Sequence, residues 1–210
     1  MSADDLRTTT LRWARQFWDN DAHMVWNPPA SVEPGIGARQ IHLTPNSVWI
    51  AYGLLGSDDA ADRAEGVRSI DTLIALQYDE PGTDFHGTFA RFMETPHPPD
   101  TPAMWVDYDP NWRQFVGTTF ALVLEDFGDT LPPSLSDRIE KSIGLAVWGE
   151  ADGRISPSYA NPALMRSWLD AWFGNRTNDA ALVARGESFA GAVIAAHDEH
   201  DAFDEFNSPT

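Results

Sequence analysis

The chain has 210 residues, of which 42% are hydrophobic and 11% aromatic, enough to bury a sizeable core in one domain. Its 32 acidic residues outweigh 14 basic ones for a net charge of −18, a surface field that repels phosphate backbones and anionic headgroups and excludes charge-driven binding to nucleic acid or membrane. The absence of cysteine excludes disulfides, thiolate nucleophiles and thiolate-bound zinc.

The first element is a helix. Leu6, Leu11, Trp13, Ala14 and Phe17 approximate one face, and Asp19, Asn20 and then Asn27-Pro28-Pro29 end it. Its charged residues Asp4, Asp5, Arg7, Arg12 and Arg15 break any signal-peptide pattern, and no apolar run approaches the roughly 20 residues of a membrane span, so the default expectation is a cytoplasmic protein. After a long loop, Thr44-Pro45 reads as a cap with proline in the first turn. Val48, Ala51, Tyr52 and Leu55 continue a helix that Gly56 stops.

Its mate runs from about Asp59 to Gln77, with Ala64, Val67, Ile70, Leu73, Ile74 and Gln77 spaced by three and four, so the two form a hairpin. Residues 78–110 then break the pattern with prolines and aromatics, a connection longer than compact domains carry without a function. A second hairpin follows: Trp112, Phe115, Val116, Thr119, Phe120, Val123 and Phe127 to the stop at Gly128, then a start at Ser134 with Asp137 at its third position, leading to Ile139, Ile143, Ala146 and Val147. A loop over 149–158 leads to Ala163, Leu164, Trp168, Ala171 and Trp172. Gly174 is read as the end of that helix and Asn178 as the start of the last, which carries Leu182, Phe189, Val193 and Ala196.

No convincing strand pair is read anywhere. The expected fold class is all-α, a single domain over 1–210 in which antiparallel helical hairpins are joined alternately by plain turns and by long, aromatic, proline-rich loops, as in a toroid or solenoid with one functional rim.

Four segments carry the candidate chemistry: His86-Gly-Thr-Phe-Ala-Arg-Phe92, Tyr108-Asp-Pro-Asn-Trp112, Ser158-Tyr-Ala-Asn161 and Glu205-Phe-Asn-Ser-Pro-Thr210. Together they resemble the inner-rim loops of the six-hairpin, (α/α) toroid superfamily of glycoside hydrolases and polysaccharide lyases. The resemblance implies a carbohydrate substrate and no cofactor. The chain supplies helices for about half of six hairpins, so it reads as a partial toroid resembling an N-terminal half, whose open edge self-association or a missing C-terminal half would cover; a compact helical domain that closes on itself is the competing reading.

Within these segments His86, beside Gly87, suits acid or base work near neutral pH, or is equally a packed loop histidine. Tyr108, Asn111, Trp112 and Arg113 lie at a loop-to-helix junction whose dipole, amides and aromatic faces suit sugars, although capping by Asp109 and core packing of Trp112 are the favoured readings of those two. Tyr159 and Asn161 form a similar junction, and Asn161-Pro162 is equally read as a cap with proline at the first helical position. Glu205 is the leading carboxylate, with Asn207 pointing the same way along an extended stretch, and Glu94 or Asp107 its partner across the rim. Trp105 is a candidate stacking platform.

His197 and His200 stand in an acidic run but lack a third ligand, so no metal site is assigned. The expected function is a glycoside hydrolase on a neutral or weakly charged glycan, with Glu205, His86, Tyr159 and Asn161 catalytic. A uronate lyase using the same rim is the alternative, and a non-catalytic helical scaffold is a third.

Overall fold

The computed structural model describes residues 3–27 and 41–200. Among them are seven α-helices: α1 (Ala3–Ala14), α2 (Thr44–Leu55), α3 (Ala60–Ile74), α4 (Trp112–Phe127), α5 (Pro133–Trp148), α6 (Ala160–Thr177) and α7 (Ala180–His200). None of the described helices is long and apolar enough to cross a membrane.

Three hairpins, α2–α3, α4–α5 and α6–α7, are closed by short turns, and α4 packs against both α2 and α6 so that the first helix of each hairpin lies beside the next. The intervening connections share one end of the molecule. The segment after α3 reaches the start of α2 through Thr44 N–H to Arg91 O (3.0 Å), the start of α4 through Thr88 Oγ1 to Asp109 O (2.7 Å), and the end of α5, against which Gly87 packs.

The main core lies between these layers. Val48, Ala51 and Leu55 of α2, Ile70 and Leu73 of α3, Val116 and Phe120 of α4, and Ile139 and Ile143 of α5 are all buried, joined by Phe89 from the long connection. Each helix contributes residues spaced by three and four, and burial of such a stripe is what stabilises helices of this length.

Several boundaries differ from the sequence reading for local reasons. Thr44 lies inside α2, with Leu43 at the cap position, and its hydroxyl is buried without a partner. Helix α5 begins at Pro133, one residue before the Ser134 start. Gly174 does not stop α6: the helix continues to Thr177 and ends at Asn178, which adopts the left-handed conformation (φ 57°) that asparagine tolerates. Asp179, not Asn178, then caps α7 by accepting the amides of Ala181 and Leu182 at 3.0 Å. At Gly174 a Cβ would lie 2.7 Å from the Val183 amide nitrogen, so the glycine serves close packing of α7 on α6.

The strand reading also needs correction. A small antiparallel sheet of β1 (Trp18–Asp19), β2 (Met24–Asn27) and β3 (Ile41–His42) pairs Trp18 with Val25 and Trp26 with His42. It lies where the sequence shows only a helix stop and a loop. Asp19 makes the first turn by accepting the Asp21 and Ala22 amides (2.8 and 3.2 Å), and His23 takes a positive φ of 55°.

Candidate active site

The long connections meet at the N-terminal ends of α2, α4 and α6. Around α4 they build a polar cluster. Arg113, 1% exposed, donates to the carbonyls of Asp84 (2.7 Å) and His86 (2.7 and 2.9 Å), tying the long connection down on the helix. Burial brings its pKa down to about 10, against the opposing pull of Glu150.

Glu150, equally inaccessible, accepts from Gln114 Nε2 at 2.8 Å and from the fork of Arg154 at 2.5 and 2.6 Å. A buried carboxylate persists only with such partners. Arg154 Nη2 also donates to Gln114 Oε1 (3.3 Å), and its Nη1 to Asn111 Oδ1 (2.9 Å), which fixes the amide so that its Nδ2 donates to the Tyr159 hydroxyl (3.0 Å). With that lone pair occupied, the Tyr159 O–H is turned to donate elsewhere.

Asp109 stands at the head of α4 beside this cluster. Its Oδ1 accepts the Asn111 amide (2.9 Å). Burial nevertheless pushes its carboxyl above the usual carboxylate range, against that amide and the Arg91 and Arg154 guanidiniums.

A second cluster lies at the head of α2. His42 Nδ1 is 2.5 Å from Glu94 Oε1 and its Nε2 is 3.1 Å from Asp19 Oδ2, while Glu94 also accepts the His42 amide at 3.0 Å. The two turn amides and His42 hold the Asp19 carboxyl below its ordinary range.

The structure brings Asn111, Arg113 and Tyr159 together with Gln114, Glu150, Arg154 and Asp109. His86 joins the cluster through its carbonyl alone. The residue also lines a groove along α5, and its ring Nδ1 accepts the Glu80 amide. Tyr108 is buried against Phe85, with ring centroids 6.0 Å apart, and Trp112 packs on the main core and Phe115.

Glu94 belongs to the His42 cluster, and Asn161 is exposed in the first turn of α6. Trp105, 55% exposed and at φ 69°, sits on a loop tip with Met104 and Val106. Glu205 and Asn207 lie outside the described residues. Among the described residues no group of three or more His, Asp or Glu could hold a metal ion.

Glu150 and Arg154 were detectable only as an acid and a base four apart in a loop, an arrangement that reads as a solvated pair until the loop docks. Asp109 was visible but was assigned to capping, a role it does perform.

One family model, described as a domain of unknown function (DUF8769), matches residues 4–210. No curated protein and no solved structure matches the chain.

Proposed function

As the chain belongs to the DUF8769 family, a grouping defined without a reaction, its activity has to be read from the rim, and we propose a glycoside hydrolase acting on a neutral or weakly charged glycan with Asp109 as proton donor. The observation that carries this reading is the desolvated Asp109 carboxyl. A group protonated more readily than an ordinary carboxylate can deliver a proton to a glycosidic oxygen.

In the proposed reaction Asp109 protonates the leaving oxygen as the bond to the anomeric carbon breaks, and a water adds to that carbon and loses its proton to a second carboxylate. Glu205, the leading carboxylate of the sequence, and Glu94 are the candidates for that role. Tyr159 would donate to a sugar hydroxyl from the position that Asn111 and Arg154 give it.

Three hairpins whose first helices lie side by side, with the connections after α3 and after α5 at one end, support reading the fold as part of an (α/α) toroid. The alternative uronate lyase needs free cations. Here Arg113 spends donors on two backbone carbonyls, Arg154 on Glu150, and Arg166 lies between Asp152 (3.3 Å) and Asp170 (3.7 Å), which favours the hydrolase.

Screening the protein against neutral and uronic glycans tests this. Release of reducing ends from a neutral glycan is expected, reduced by roughly a hundredfold or more in Asp109→Asn. An unsaturated, ultraviolet-absorbing product would establish the lyase instead. Equal turnover in Asp109→Asn removes Asp109 from the chemistry, and no turnover on any glycan leaves the non-catalytic scaffold.

A further inference from the structure

A second surface carries sugar-type chemistry away from the Asp109 cluster. A groove of about 460 Å³ follows one face of α5, with Trp148 at one end, His86 beside it and Phe173 of α6 in its lining. Trp148 is 57% exposed, although it is the last residue of a well-packed helix.

This indole is held rather than loose. The Arg185 guanidinium lies over its ring, 5.6 Å from the centroid, and is itself clamped by both oxygens of Asp170 at 2.8 and 2.9 Å. Asp170 is 2% exposed, so a buried carboxylate fixes an arginine that fixes an exposed tryptophan. Beside it Gly144 supplies no side chain: a Cβ there would press on Phe173 at 3.3 Å, so the glycine keeps the bed of the groove low.

The polar groups around these aromatics are mixed in kind. His86 Nδ1 accepts the Glu80 amide at 3.1 Å, which in the neutral ring places the proton on Nε2 as a donor. Asp137 and Glu140 supply acceptors and Lys141 a donor. Glu140 is balanced by Arg176 (2.6 Å) and Lys141 by Asp79 (3.1 Å), which leaves the Asp137 carboxylate as a modest negative charge that disfavours an anionic ligand.

A preset aromatic face bordered by both donors and acceptors, in a groove open along its length, matches the alternating C–H faces and hydroxyls of a sugar chain. We infer that the α5 groove is a binding site for a neutral oligosaccharide, stacked on Trp148 and hydrogen-bonded to His86 and the Asp137–Lys141 turn of the helix. The site rests on its own geometry. It extends the glycan reading of the rim without depending on it.

Isothermal titration and saturation-transfer NMR with neutral α- and β-linked glucose oligomers, and with a uronic oligomer of matched length, test the inference. The parent protein is expected to bind a neutral oligomer more tightly than the uronic one. Trp148→Ala should weaken it at least about fivefold and Trp148→Phe by less, with helical circular dichroism unchanged because the indole is largely solvent-facing. Failure of every neutral oligomer to bind, tighter binding of the uronic oligomer, or identical affinity in Trp148→Ala would each overturn the groove. Loss of binding in Asp109→Asn with Trp148→Ala unaffected would also overturn it while leaving the rim reading intact. Binding that depends on Trp148 in a protein without glycan turnover upholds the groove and removes the rim reading.

Discussion

Asp109 is held where its charge is poorly solvated, and that has a consequence for stability separate from any catalysis. A carboxyl whose folded pKa is raised binds its proton more tightly in the folded state. Its contribution is therefore fully present below the unfolded carboxylate pKa and is lost as pH rises through the folded value. At pH 7 the ionised group opposes folding. Asp109→Asn keeps the acceptor for the Asn111 amide while removing the charge, so its melting temperature is expected to exceed that of the parent at pH 7 and to converge with it once the pH falls below the ordinary carboxylate pKa. A lower melting temperature at pH 7 would show that the charge is compensated. Asn111 and Tyr159 were legible in the sequence because a polar residue beside a helix start has few places to point. Glu150 and Arg154 were not, because their burial follows from the docking of 149–159 onto α4, an event that no spacing of residues encodes.

The hairpin α6–α7 shows how little sequence separates two helices when stop and start are adjacent. Asn178 closes one in the left-handed conformation and Asp179 opens the next, with the Asp179 amide reaching back to Gly174 O at 2.8 Å. Replacing Asp179 by alanine leaves the amides of Ala181 and Leu182 without their acceptor and should cost about 1 kcal/mol in urea unfolding, whereas Asp179→Asn should cost less. The helices were legible because their apolar stripes repeat over three or four turns. The sheet was not: its strands have two to four residues, too few for an alternation to stand out, and their pairing depends on His42 meeting Trp26 across an intervening stretch of chain. Gly174 misled for a related reason, since a glycine at a helix stop and a glycine at a close helix crossing look alike until the neighbour is known.

The molecule as a whole carries eighteen more negative than positive charges, and its ion pairs engage only part of the acidic excess. Repulsion among the remaining carboxylates works against the compact state. Raising sodium chloride from about 20 mM to about 500 mM shortens the Debye length from roughly 20 Å to under 5 Å and should raise the melting temperature, since more like-charge repulsion than pairing is screened. A fall would mean that the surface pairs, such as Arg15–Asp62 and Arg138–Asp71, outweigh the excess.

Each helix hairpin closes on itself within a few residues, so most of the hydrophobic core can assemble from neighbours in the chain. The cluster around Asn111 has the opposite character: apart from the local Arg154–Glu150 and Asp109–Asn111 bonds, its hydrogen bonds span 27 to 48 residues and wait for a long connection to come home. Assembly therefore has two natural stages, a rapid one that sets the scaffold and a later one that closes the polar cluster. Amide protection should spread through the paired helices before it reaches the region where Arg113 anchors the incoming strap, so that a nascent chain acquires its scaffold ahead of its buried polar network.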